Sequence, residues 1–171
     1  MIPKVSDIHT HDLSATDAVI SLPRLAEPTR ADALYSVGVH PWWADDPWET
    51  LRWVERLAAH PQVALIGECG LDTRRGALPL AGQLALLERQ VEISERVGKP
   101  LILHIVGAWS ELLALRRHLR PVQPWIVHGF RGKPALARQL LAAGLHISLG
   151  PRHNPLTAAV IPPDRLHRES D

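Results

Sequence analysis

Residues 5–11 read VSDIHTH: a short apolar run, 5–8, delivers two histidines, His9 and His11, at its end. The same arrangement recurs along the chain. Residues 34–39 lead into His40 (GVHPWW), 63–67 into Glu68 (ALIGECGLD), 101–103 into His104 (PLILHIV) and 125–127 into His128 (WIVHGFRG). Two further apolar runs lie at 18–22 and 145–149, and the run at 101 continues to 105. All are rich in Val, Ile and Leu without clean alternation, as expected of strands buried on both faces.

Helical signals separate these runs. Asp46-Pro47-Trp48-Glu49 reads as an N-cap, a first-turn proline and a capping-box glutamate. Leu51, Val54 and Leu57 then form an apolar stripe. Leu80, Leu84, Leu87 and Val91 form a second, stopped by Gly98 and Pro100. Leu112, Leu115 and Leu119 mark a third helix, and Leu136 and Leu140 a fourth closed by Gly144. Residues 12–30 read as loop with one strand. Strands alternating with helices through short connections imply βαβ units and a mostly parallel sheet.

The chain has 171 residues, 46% hydrophobic and 22% charged, which favours one domain over residues 1–171 and excludes a disordered chain. Nothing approaches an 18-residue apolar run, so no membrane span is expected, and the N-terminus lacks a secretory h-region. A single cysteine, Cys69, excludes an internal disulfide framework and fits a cytoplasmic location. Nineteen basic against 18 acidic residues give no global attraction to polyanions, so nucleic-acid contact would rest on local groups such as Arg74, Arg75, Arg131 and Lys133.

In a parallel β/α fold the C-terminal strand ends share one face, where active sites are built. Five strand ends bearing histidine or glutamate therefore converge. Imidazoles around a carboxylate are the donor set of Zn²⁺ or Mn²⁺, and a bridging carboxylate can hold two ions. Strand period places His9 and His11 on one side, within reach of one ion. Gly67 and Gly70 read as devices for a tight loop turn around Glu68. Cys69, Trp53 and Trp109 read as packing residues. The remaining histidines, His60, His118, His146, His153 and His167, read as ordinary. Trp42 and Trp43 stand at the mouth, where a substrate could stack on them.

The ordered set DIHTH, GVHPWW, IGECGLD, PLILH and WIVHGFRG resembles the TatD family of metal-dependent hydrolases, the TatD-like deoxyribonucleases, in their short-chain branch. The resemblance implies a TIM-type (β/α) barrel carrying two divalent ions (Zn, Mn or Mg). It implies that His9 and His11 bind one ion, His104 and His128 the other, and that Glu68 bridges them. The family's last ligand is an Asp in a Glu-Thr-Asp segment. Here PPDRLHRESD ends in Glu169-Ser170-Asp171, so Asp171 matches it and is also assigned as general base. His40 matches the family's G-x-H-P histidine, a contact to phosphate or to a ligand, and Asp72 the GLD aspartate, an orienter of ligands. The implied substrate is a phosphodiester, DNA above all.

Two departures stand out. His167 and Arg168 occupy positions that are hydrophobic in the family, and family chains continue past Asp171. The barrel is therefore expected to be short and incomplete at its C-terminal end. Ile105-Val106-Gly107 stands where family chains often carry an arginine after the His104 position. Two alternatives stay open: the same site acting on another phosphoester or an amide, and a catalytically impaired metal-binding fragment.

Overall fold

The structure, a computed structural model, describes residues 1–43 and 46–171. Eight strands pair in parallel and in sequence order: β1 (Asp7–Thr10), β2 (Ala18–Ser21), β3 (Leu34–Val37), β4 (Val63–Asp72), β5 (Leu101–Val106), β6 (Trp125–Val127), β7 (His146–Leu149) and β8 (Leu166–Arg168). Among the described residues five helices intervene: α1 (Pro47–Leu57), α2 (Leu80–Val97), α3 (Trp109–Leu119), α4 (Pro134–Ala142) and the four-residue α5 (Pro155–Ala158). A 3₁₀ turn, Pro163–Arg165, precedes β8.

The helices begin and end for the reasons visible in the sequence. Asp46 accepts a hydrogen bond from the Glu49 amide at 2.8 Å, and Pro47 opens α1 without wasting a donor. Gly98 closes α2 in the left-handed conformation that a glycine adopts without a Cβ penalty. Apolar side chains fill two layers. Leu87, Val91, Leu112 and Leu140 from the helices pack on outward residues of the sheet such as Leu101, Leu103 and Trp125. Inside the barrel a smaller cluster of Ile8, Val19, Leu65, Ile102 and Ile126 forms the floor beneath the strand ends.

The first and last strands lie side by side, so the eight strands nearly close a barrel. No ladder pairs β1 with β8 among the described residues. The seam is bridged instead by Ser170, whose Oγ donates to Asp7 Oδ2 at 2.6 Å and lies 3.0 Å from Thr10 Oγ1. The incompleteness resides in the helical layer: among the described residues no helix connects β1 to β2 or β2 to β3, and α5 is one turn long.

Two sequence expectations need correction. Gly67 and Gly70 do not turn a loop; they lie inside the ten-residue strand β4, which carries Glu68 and Asp72 within it. Both have positive φ, +136° and +147°, and a Cβ would stand 2.2 Å from the Ile102 carbonyl oxygen and 2.0 Å from that of His104. Glycine is needed there because β5 passes too close for a side chain. The polar stretch Leu166-His167-Arg168, in turn, is a strand in register with β7. His167 Nε2 meets His146 Nδ1 at 3.0 Å, which satisfies a half-buried polar atom on each.

Candidate active site

Glu68 is the centre of the strand-end face. It is buried, and its two carboxylate oxygens face different histidines. Oε1 lies 3.3 Å from His9 Nε2 and 3.1 Å from His11 Nε2. Oε2 lies 2.8 Å from His128 Nε2 and 3.6 Å from His40 Nε2. β1 thus brings both histidines of DIHTH to one oxygen, while β6 and the end of β3 supply the other. His104, on β5, packs against His40 with ring centroids 4.6 Å apart.

Asp171 Oδ1 is 3.5 Å from His11 Nε2. Its Oδ2 is 4.0 Å from His128 Nδ1. Asp72 turns toward His104, with Oδ2 3.1 Å from its Nε2. The same oxygen accepts from Trp42 Nε1 at 2.7 Å, and Oδ1 accepts from the Arg74 and Arg75 amides at 2.8 Å. All eight residues singled out from the sequence therefore meet in one cluster.

Four groups in it place three donors close enough for one cation: His9, Glu68 and His128; His9, His11 and Asp171; His40, Glu68 and His104; and His128, Glu169 and Asp171. His104 thus groups with His40 around Glu68, and His128 groups with His9. The donor set fits a metal on independent grounds. Both ring nitrogens of His9 and of His128 are buried with no hydrogen bond of acceptable geometry, although their Nε2 atoms stand near Glu68. Buried imidazole nitrogens are normally satisfied, and imidazoles left without a hydrogen bond around a carboxylate are a donor set that a divalent ion would complete by displacing their protons.

Imidazoles themselves carry the charge that balances Glu68. Burial pushes the Glu68 carboxyl up, but contacts with His11, His128, His40 and His9 outweigh it and hold the group ionised, far below the usual carboxylate range. Burial likewise raises Asp72, yet bonds from Trp42, Arg75, His104 and Arg74 bring it down to about 2. His104 is lowered to about 4 by burial and by His40. His128 is raised to about 10: burial opposes the charge, but Glu169 and Glu68 impose it.

The cluster opens into a pocket of about 1130 Å³. Trp42, Trp43, Arg74, Arg75, Arg131 and Arg152 line its walls, so three of the four cations named from sequence reach it and Lys133 does not. Two further residues belong to the site without a clear sequence signal. Glu169 is buried beside His128, with Oε1 3.6 Å from Nδ1 and accepting from the Gly129 amide at 2.8 Å. It follows β8 as Glu68 follows its apolar run, but polar His167 and Arg168 mask the strand. Arg152 lies in the loop after β7, and nothing local marks it.

The family profile described as "TatD related DNase" matches residues 4–171. The chain is 34% identical over 148 residues to the 3'-5' ssDNA/RNA exonuclease TatD of Erwinia billingiae, covering 80% of this chain and 56% of that protein. It is 30% identical over 153 residues to the uncharacterized metal-dependent hydrolase YabD of Bacillus subtilis, covering 82% and 59%. The chain thus spans little more than half the length of these relatives. Among solved structures, the TatD homologue YjjV of Escherichia coli K12 matches with a TM-score of 0.70 at 26% identity, over 82% of this chain and 58% of that one. A TatD family hydrolase of Entamoeba histolytica matches with a TM-score of 0.65 at 27% identity, over 81% and 50%. With the family profile matched over residues 4–171, the chain belongs to the TatD-related DNase family.

Proposed function

We propose that this chain is a single hydrolase domain that cleaves phosphodiesters of single-stranded nucleic acid with two divalent ions. The observation that carries the reading is Glu68: a buried, ionised carboxylate whose two oxygens face separate pairs of histidines. That division suits a bridging ligand. On the family assignment, His9, His11 and Asp171 would hold one ion and His104 and His128, with His40 at hand, the other, with Glu68 shared between them. The ions, when bound, supply Lewis acidity and an acidified water at neutral pH.

The chain's own groups do the rest. Asp171, exposed to the pocket and 3.5 Å from His11, is placed to take a proton from a water at the cluster. Arg131 and Arg152 on the pocket wall offer guanidinium groups to phosphate oxygens, in place of the arginine absent after His104. Asp72 fixes the His104 ring. A single-stranded substrate is supported by the relatives named 3'-5' ssDNA/RNA exonuclease TatD. A cytoplasmic setting belongs to the same reading, supported by the lone buried Cys69. No described helix is long and apolar enough to cross a membrane.

The test is Mn²⁺-dependent release of nucleotides from a single-stranded oligonucleotide. Release by the wild type, abolished in Glu68→Ala with the fold retained, is the expected result. No release at any tested metal concentration would remove the enzyme reading in favour of a metal-binding fragment.

A further inference from the structure

Trp42 is a half-exposed indole in a fixed pose, and the cluster of ligand-type residues does not account for it. Its Nε1 is bound to Asp72, which prevents the ring from turning. One edge-on contact ties it to His40, with centroids 4.7 Å apart at 73°, and another to His104 at 5.1 Å and 78°. Over its face lies the Arg75 guanidinium, Cζ 3.8 Å from the ring centroid. Among the described residues no carboxylate forms an ion pair with Arg75, so the cation is committed to the indole rather than to a salt bridge.

A rigid aromatic and a planar cation, layered on the wall of a pocket beside imidazoles that face a carboxylate, have the makings of a stacking surface. Nucleobases stack on aromatic faces and on guanidinium planes, and they do so only when out of a duplex. The fixed indole removes the entropy cost of ordering the platform on binding. A phosphodiester at the cluster carries its sugar and base outward, and the wall holding Trp42 and Arg75 borders that space.

We propose that the Trp42–Arg75 layer is a nucleobase subsite, which holds an unstacked base of the strand whose phosphate lies at Glu68. This rests on the nucleic-acid reading of the same site. It adds that the protein recognises the base face as well as the backbone, with little preference for base identity.

The test is fluorescence anisotropy on the Mn²⁺-loaded protein with two labelled phosphorothioate hexamers of equal charge, one of thymidine nucleotides and one abasic throughout. The wild type is expected to bind the thymidine strand roughly tenfold more tightly. Trp42→Leu brings that ratio close to one. Trp42→Phe, which keeps an aromatic face but loses the bond to Asp72, retains most of it. A wild-type ratio near one overturns the proposal, as does a Phe variant that behaves like the Leu variant, because the effect would then run through Asp72. Cleavage of the unmodified strand is read separately. Discrimination without cleavage defeats the hydrolase reading and leaves the subsite standing; cleavage without discrimination does the reverse.

Discussion

Asp72 and His104 are joined through one oxygen: Asp72 Oδ2 lies 3.1 Å from His104 Nε2. Because Asp72 is ionised, it only accepts, so His104 Nε2 carries the proton and Nδ1 keeps the lone pair. The carboxylate therefore selects which nitrogen is free for a cation, and Trp42, Arg74 and Arg75 hold the carboxylate in turn. Asp72→Asn could present an N–H to Nε2 and favour the opposite tautomer. Its metal affinity, read by calorimetry, is expected to fall about 10- to 100-fold with the fold intact.

Much of the site is legible in the amino-acid order alone. An apolar, β-branched run that leads into a histidine announces itself, and four such runs, with a fifth that leads into Glu68, define one face. The GECG glycines mislead, because glycine signals a turn more often than a strand that another backbone crowds; only the register of β4 on β5 shows what they do. β8 is hidden for a different reason. Its polarity is satisfied by a partner 21 residues away, His146 to His167, and no local pattern encodes that pairing. Glu169, which follows that strand, is hidden with it.

The histidine pair makes stability depend on pH. His146 is held down to about 4 by burial, then by His167 and Arg165, and burial lowers His167 as well. Both take up protons more readily when unfolded, near the ordinary value of about 6.5. Their stabilisation is therefore full above that value and is lost as pH falls toward 4. In metal-free protein, the drop in urea midpoint between pH 7 and 4.5 is expected to be smaller in His146→Phe than in the wild type.

The Ser170 hydroxyl ties the last residues to Asp7 and Thr10 across a seam that no strand ladder closes among the described residues. Ser170→Ala removes both bonds at an exposed position, so the stability cost should be about 1 kcal/mol or less by urea denaturation. The Ser170 amide still donates to Asp7 Oδ1 at 3.3 Å, so Asp171 stays tethered but more loosely, and metal affinity should fall modestly.

At Gly70 the reverse holds: the fold suffers first. A Cβ there meets the His104 carbonyl oxygen at 2.0 Å, backbone that cannot swing aside. Gly70→Ala is expected to destabilise by about 2 kcal/mol or more and to displace β5, so thermal unfolding and metal retention should decline together.

Metal stoichiometry tests the account at its centre. Protein equilibrated with Mn²⁺ or Zn²⁺, desalted and measured by elemental analysis, is predicted to retain about two ions per chain, as a carboxylate bridging two sites allows. Glu68→Ala should then lose most of both. Retention of no metal by the wild type, or full retention by Glu68→Ala, would contradict a site built around that carboxylate.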